Sequence, residues 1–305
     1  MKIAFAGTPE FGALILGALL SSRHEVAVVF TQPDRPAGRG RRPRESAVKR
    51  LALEEGLRVE QPPSISSAES VGLMEDLGVR ALTVAAFGQI LKPPLLGSIP
   101  CINVHASLLP AYRGASPVER AVMAGEKATG VSIMDITPKL DTGAVYLSWP
   151  VYIDDDDDAG SMYQKLGRAG GEALVQTLDG IEEGGLRSVP QDESKAFYVE
   201  KITPADQHID WNRPAWKIRA QVRGLSPHIG AFTRVDGHRL KVWKAAVVEG
   251  GDGPGTLEVE GERLLVNCGT GRLELIEVQP EGKRRMSAAE YLRGHRDELR
   301  KISSL

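Results

Sequence analysis

The segment Cys101–Pro117, CINVHASLLPAYRGASP, places a carboxamide and an imidazole two residues apart inside an apolar run. On an extended strand residues two apart share a face, so Asn103 and His105 project together while Val104 points the other way. The run breaks at Pro110. The pair therefore falls at the C-terminal end of its strand, the edge where open α/β sheets hold their ligands. A neutral amide donor beside an imidazole suits a carbonyl oxygen that gains negative charge in a tetrahedral intermediate. The plainer interpretation is a pair of hydrogen-bonded core residues, and Asn-x-His alone favours it.

A third member is offered by LDTG, Leu140–Gly143. Asp141 near His105 would orient and charge the imidazole, as carboxylates do in nucleophilic triads. Asp-Thr-Gly also occurs in aspartic proteases, but those need two such carboxylates and this chain has one DTG, embedded in an α/β pattern. A triad hydrolase is disfavoured because no G-x-S-x-G elbow is present and neither Cys101 nor Cys268 has a plausible base beside it in sequence. FAGTPEFG, Phe5–Gly12, is neither G-x-G-x-x-G nor a P-loop, and reads as a tight turn between a strand and a helix. Asp154–Asp158 lack the spacing and closing glutamate of an EF-hand, and the six histidines show no ligand-like spacing, so no metal is implied.

These side chains must be positioned by short β-branched runs at 2–6, 26–30, 80–86, 101–104 and 131–135, with helical patterns at 10–21, 46–55, 68–77 and 116–124 between them. Strands alternating with helices predict an α/β, Rossmann-like doubly wound sheet. Residues 143–153 read as a further strand, the return arm of a hairpin, and the aspartate run then opens a long helix whose dipole favours negative charge there. Periodicity fades from about 186 to 207. Beyond a helix at about 214–224, AFTRV, RLKVWKAAVV, GTLEVE, RLLVNC and RLELIEVQ are separated by turns such as VDGH and GTG, the pattern of a small, OB-like β-barrel. The expected organisation is a catalytic domain over 1–189, a linker over 190–207 and a C-terminal barrel domain over 208–305.

A length of 305 residues accommodates two domains, and 26% charged with 42% hydrophobic residues is ordinary for a globular protein. No apolar run approaches the ~18 residues of a membrane span. MKIAFAGT enters a strand-like run at once, which leaves no room for a signal peptide and leads to the expectation of a cytoplasmic protein. Two well-separated cysteines fit reduced thiols. Charge is uneven: residues 1–200 hold 20 Lys+Arg against 26 Asp+Glu, and 201–305 hold 18 against 14. Within the acidic part, Asp34–Arg50 carries seven basic residues and two acids, which permits a polyanionic partner without requiring one.

The segment NVHASLLPAYRGASP together with LDTG resembles the active-site signature of the folate-dependent formyltransferases. That resemblance implies that Asn103, His105 and Asp141 form the catalytic set and that the Ser107, Leu108, Leu109 and Pro110 turn binds folate. It also implies that Phe87, Gly88, Gln89, Ile90 and Leu91 line the pterin pocket. Several enzymes share this domain, among them glycinamide ribonucleotide formyltransferase, amino-arabinose formyltransferases and formyltetrahydrofolate deformylase. FAGTPEFG, TQPDRPAGRG (Thr31–Gly40), IDW (Ile209–Trp211) and LKVWKA (Leu240–Ala245) are similar to the branch that acts on methionyl-tRNA, and the similarity spans both domains. The resemblance thus implies formyl transfer from 10-formyltetrahydrofolate to initiator methionyl-tRNA for translation initiation. The formyl donor is already activated, so no metal or redox cofactor is expected, and a monomer is the expected state. Arg35, Arg39, Arg41 and Arg42 are then expected to meet tRNA phosphates, and the basic barrel the remainder of the tRNA. Two departures, ESAVK (Glu45–Lys49) for a PSPVK-like segment and Ile229-Gly230 for a Pro-Gly turn, lie in regions expected to face tRNA. A formyltransferase acting on a nucleotide-linked sugar amine or another small amine is the competing enzyme reading, and a tRNA-binding module with an inactive transferase domain is the non-enzyme one.

Overall fold

The computed structural model describes residues 1–37 and 42–299. They form two compact units, each discontinuous in sequence. One contains Met1–Gly114, Ala128–Tyr152 and Tyr163–Val199, and the other Ala115–Lys127, Ile153–Met162 and the chain from Glu200 onward.

The first unit is built on seven strands: β1 (Lys2–Gly7), β2 (Glu25–Phe30), β3 (Val59–Glu60), β4 (Ala81–Ala85), β5 (Cys101–His105), β6 (Ala128–Asp135) and β7 (Val145–Tyr152). They lie in the order β7-β6-β5-β4-β1-β2-β3. Strands β1 to β5 pair in parallel, whereas β6 runs antiparallel to β5 and β7 antiparallel to β6. This is the expected doubly wound sheet carrying an antiparallel edge, a common variation in α/β folds. Ile3 to Ala6 and Ala81 to Ala85 are buried without alternation, as strands covered on both faces must be. Helices α1 (Glu10–Leu20), α2 (Ala47–Glu54), α3 (Ala68–Asp76) and α4 (Pro93–Ser98) connect the parallel strands. Ser46 and Ser67 cap α2 and α3 by accepting from the backbone N–H groups of Lys49 and Ser70. The short β3 and α4 carry too few periodic residues to show in the sequence pattern.

Val104 occupies the sheet face opposite Asn103 and His105. A Cβ added at Gly170, on the long helix that follows β7, would lie 2.9 Å from Val104 Cγ1. Glycine at that position lets the helix approach the sheet closely and presses Val104 into the core.

In the second unit, helix α5 (Pro117–Ala124) precedes the start of α6 (Ala159–Glu182), followed by α7 (Pro204–Gln207) and α8 (Ala215–Leu225). The acidic run caps α6. Asp158 Oδ1 accepts from the Ser161 N–H at 2.8 Å, and buried Asp157 accepts from the Asp154 N–H at 2.7 Å and from the Ser161 hydroxyl at 2.8 Å. Among the described residues no group of three or more His, Cys, Asp or Glu is arranged to hold a metal ion. An antiparallel sheet follows: β8 (Ala231–Val235), β9 (His238–Val248), β10 (Leu257–Glu260), β11 (Arg263–Asn267) and β12 (Arg272–Pro280), in the order β8-β9-β12-β11-β10. Asp236 and Gly237 turn β8 into β9 with φ of 48° and 76°, the paired left-handed conformation that makes Asp-Gly a hairpin signal. Among the described residues no ladder joins the two end strands β8 and β10. Trp211, Ile218, Val222, Val242, Leu264 and Leu275 form the core of this unit. Helix α9 (Ala288–Leu299) adds Tyr291 and Leu292 to it. No helix among the described residues is long and apolar enough to cross a membrane.

Candidate active site

Asn103 and His105 sit where β5 reaches the C-terminal edge of the sheet, opposite Met134 and Ser132 of β6 in the ladder. Asn103 is half-buried, and among the described residues its carboxamide makes no hydrogen bond. A structural core amide would be paired, because an unpaired buried amide costs the full desolvation of its donors and acceptor. Asn103 is thus not held in a hydrogen-bonded pair with His105 in this structure.

His105 is 6% exposed. Its Nε2 lies 3.0 Å from the Tyr112 carbonyl oxygen, which can only accept, so Nε2 carries a proton and donates it there. Nδ1 faces the Asp141 carboxylate with 3.7 Å between Nδ1 and Oδ1. That separation exceeds a hydrogen bond and leaves Nδ1 open to a further group. Asp141 is held by its own backbone, with φ at 54°, and by the Gly114 N–H, which donates to its Oδ2 at 2.8 Å. Gly114 has φ of 114°, and a Cβ there would lie 2.2 Å from the Val199 carbonyl oxygen. Only glycine can both accept this conformation and leave its N–H aimed at Asp141.

The Ser107–Pro110 turn is locked from below. Ser107 is fully buried and its hydroxyl donates to the Ala111 carbonyl at 2.6 Å. Ser132 Oγ donates to the Ser107 carbonyl at 2.8 Å and accepts from the Leu109 N–H at 3.0 Å. Ser107 is committed to the turn, whereas Leu108, Leu109 and Pro110 are half-buried.

The Phe87–Leu91 segment divides in the same way. Phe87 and Leu91 are buried in the core at 2% and 8% exposure, and the Gln89 amide bonds the Ile65 N–H and the Pro62 carbonyl. Gly88 and Ile90 are exposed. Phe87 and Gly88 line a cavity of about 390 Å³ with Thr8, Gln32, Arg44 and Ser46. FAGTPEFG thus contributes wall and turn to this edge of the sheet, with Thr8 Oγ1 donating to the Phe87 carbonyl at 3.0 Å.

Of the four arginines expected to meet tRNA, Arg39 and Arg41 lie outside the described residues. Arg35 and Arg42 stand on a two-stranded antiparallel ribbon, Arg35–Ala37 with Arg42–Arg44. Its base is pinned by Asp34, which pairs with Lys49 at 2.5 Å and accepts from Gln61 at 3.0 Å. The Lys49 and Gln61 contacts hold the Asp34 carboxyl below the usual carboxylate range.

Sequence reasoning missed the support for Asp141. Arg113 and Gly114 belong to the quoted motif, but neither carries a signal for its role. Gln191 and Glu193 lie in the stretch where periodicity fades and have no local signal. In the structure Gln191 Nε2 donates to the carbonyls of Asp141 and Gly143, at 2.9 and 2.7 Å.

An unpartnered amide, an imidazole and a carboxylate are thus gathered at the C-terminal edge of the doubly wound sheet. The formyl transferase family matches residues 1–178, and the formyl transferase C-terminal domain matches residues 201–296. Methionyl-tRNA formyltransferase of Caldanaerobacter subterraneus is 43% identical over 301 residues, 97% of each chain. That of Symbiobacterium thermophilum is 44% identical over 301 residues, 96% of this chain and 92% of the relative. The chain belongs to the formyl transferase family, among the methionyl-tRNA formyltransferases. Two solved structures share the fold at low identity. HypX of Aquifex aeolicus, in complex with tetrahydrofolic acid, matches 96% of this chain with a TM-score of 0.68 at 16% identity. This chain spans about half of HypX, 47% of its length. The sugar 3N-formyltransferase WlaRD has a TM-score of 0.69 at 18% identity over 93% of this chain and 99% of its own.

Proposed function

We propose that this protein, acting as a cytoplasmic monomer, transfers the formyl group of 10-formyltetrahydrofolate to the α-amine of initiator methionyl-tRNA. The observation that carries the chemistry is the unpartnered Asn103 carboxamide beside the His105–Asp141 pair. Similarity to methionyl-tRNA formyltransferases over both domains supports the choice of acceptor. The folate co-substrate supplies an activated formyl carbon, and the residues at the sheet edge fit it by donating to its oxygen.

The amine attacks the formyl carbon through its lone pair, and negative charge collects on the formyl oxygen. Asn103 Nδ2–H donates to that oxygen. His105, protonated, would carry N–H on both nitrogens; the Tyr112 carbonyl takes Nε2–H, which leaves Nδ1–H to serve the oxyanion beside Asp141. Asp141 fixes the imidazolium and takes the proton lost by the amine, directly or through one water; the tetrahedral intermediate then collapses with cleavage of its C–N10 bond, and that proton passes to N10 of the departing tetrahydrofolate. Preorganised donors of this kind need no reorganisation as charge develops, which is why they lower the barrier. Leu108, Leu109 and Pro110, with the Phe87–Leu91 segment, hold the folate, and the Arg35–Arg42 loop and basic C-terminal unit hold the tRNA.

Incubation with charged initiator tRNA and labelled 10-formyltetrahydrofolate should place label on the amino acid. Label transferred to a nucleotide-linked sugar amine and not to methionyl-tRNA would refute the acceptor. The fold shared with WlaRD concerns architecture alone and does not select that substrate.

A further inference from the structure

Arg113 is the largest fully buried side chain among the described residues, at 0% exposure, and it comes from the segment that carries Asn103 and His105. A buried guanidinium must be satisfied at nearly every donor. Nε and Nη2 both donate to Gln191 Oε1, at 3.1 and 2.9 Å. Nη1 and Nη2 form a fork on the Glu193 carboxylate at 3.0 and 2.7 Å. The hydrogen bonds from Arg113 in turn hold the Glu193 carboxyl below its ordinary range.

This arrangement fixes which way the Gln191 amide points. Its oxygen has to face the guanidinium, so its NH₂ has to face the opposite side, where the carbonyls of Asp141 and Gly143 accept from it. Those carbonyls belong to the left-handed bend that presents the Asp141 carboxylate. The bend is therefore gripped twice: by the Gly114 N–H on the carboxylate and by Gln191 on the backbone. Nothing in strand or helix periodicity marks Gln191, yet its four hydrogen-bonding contacts are all spent on this junction.

We infer that Gln191 is a positioning residue for Asp141, oriented by buried Arg113, and that it sets turnover through the placement of the Asp141 carboxylate. The inference rests on the role assigned to Asp141 above. Displacement of a catalytic group by about 1 Å can lower the rate ~100-fold.

The test uses the full-length enzyme with Gln191→Glu and Gln191→Met. Gln191→Glu keeps size and strengthens the pairing with Arg113, but it turns a carboxylate oxygen toward two carbonyl oxygens. Both variants should lose ~10- to 100-fold in kcat, with KM for the formyl donor and for methionyl-tRNA within about threefold of wild type. A merely structural role predicts a loss independent of Asp141. Gln191→Met is therefore also placed in an Asp141→Asn background and followed in single turnovers, where it should cause little additional loss because residues that act as a unit are not additive. Near-normal kcat in Gln191→Glu, a loss carried by KM, or full additivity with Asp141→Asn would each overturn the inference. Wild-type turnover in Asp141→Asn alone would instead remove the catalytic reading on which it stands.

Discussion

Asn103→Ala separates catalysis from folding more cleanly than any other substitution at this site. The Asn103 carboxamide has no hydrogen-bond partner among the described residues, so its removal orphans no buried group. Surface or half-buried changes free of such losses stay within about 0.5 kcal/mol of wild-type stability. Loss of one oxyanion donor costs roughly 2.7–4 kcal/mol of transition-state stabilisation, or ~10²–10³ in kcat. Asn103→Asp should be worse. A carboxylate ~4 Å from the developing oxyanion adds repulsion of about 4 kcal/mol at an effective dielectric near 20, a further ~10³ in rate. The assay is single-turnover formylation of methionyl-tRNA at saturating donor, beside thermal and urea melts of both variants. Turnover within tenfold of wild type in Asn103→Ala would refute the oxyanion role. A melt lowered by several kcal/mol would show that the amide has a structural partner, and the reasoning from its freedom would fail with it.

Replacing Leu108 and Leu109 with bulky polar residues should raise KM for the formyl donor and leave tRNA affinity unchanged; the reverse pattern would mean the two substrates are exchanged in the assignment. Neutralising Arg39, Arg41 and Arg42 should flatten the slope of log tRNA affinity against log salt by roughly two units, while parallel salt lines would move tRNA recognition to the C-terminal unit. Asp206 pairs with Arg120 at 2.6 Å, and chiefly that hydrogen bond holds its carboxyl down at about 2. A carboxyl depressed in the folded state stabilises above its unfolded value and loses that contribution as pH falls from about 4 to about 2, on the order of 2 kcal/mol. Asp206→Asn should remove that part of the acid dependence, and an unchanged acid limb in stability measurements would count against the pair.

Four of the five parallel strands, β1, β2, β4 and β5, were legible because each is a short apolar run bounded by turn residues. Both faces are covered, so their burial does not alternate. The β8–β9 hairpin was legible through Asp236-Gly237. Strand β3 and helix α4 escaped because two and six residues cannot establish a period. Helix α9 escaped because its buried residues, Ala288, Tyr291 and Leu292, make a narrow stripe in a charged segment. At the site, strand alternation was enough to place Asn103 and His105 on one face. The ring nitrogen that faces the chemistry was not legible, since it depends on the Tyr112 carbonyl seven residues away.

What sequence patterns miss most completely is support drawn from distant, irregular chain, and Gly114 offers the sharpest check of that support. In the motif it reads as an ordinary turn glycine. In the structure it pairs with Val199 and donates to Asp141, at a φ of 114° that L side chains rarely adopt. In Gly114→Ala the new methyl would stand 2.2 Å from the Val199 carbonyl oxygen, a backbone atom that cannot swing aside. Either the Tyr198–Val199 pairing opens or Gly114 itself moves, and both routes shift the N–H away from Asp141. Residues forced into disfavoured backbone regions cost about 1–3 kcal/mol, so the melt should fall by that order. Turnover should fall further than the melt accounts for, because the folded fraction would remain near unity while the Asp141 bend loses one of its two grips, the one on the carboxylate. A folded Gly114→Ala enzyme with wild-type kcat would show that the Asp141 bend holds its geometry without the 198–199 segment.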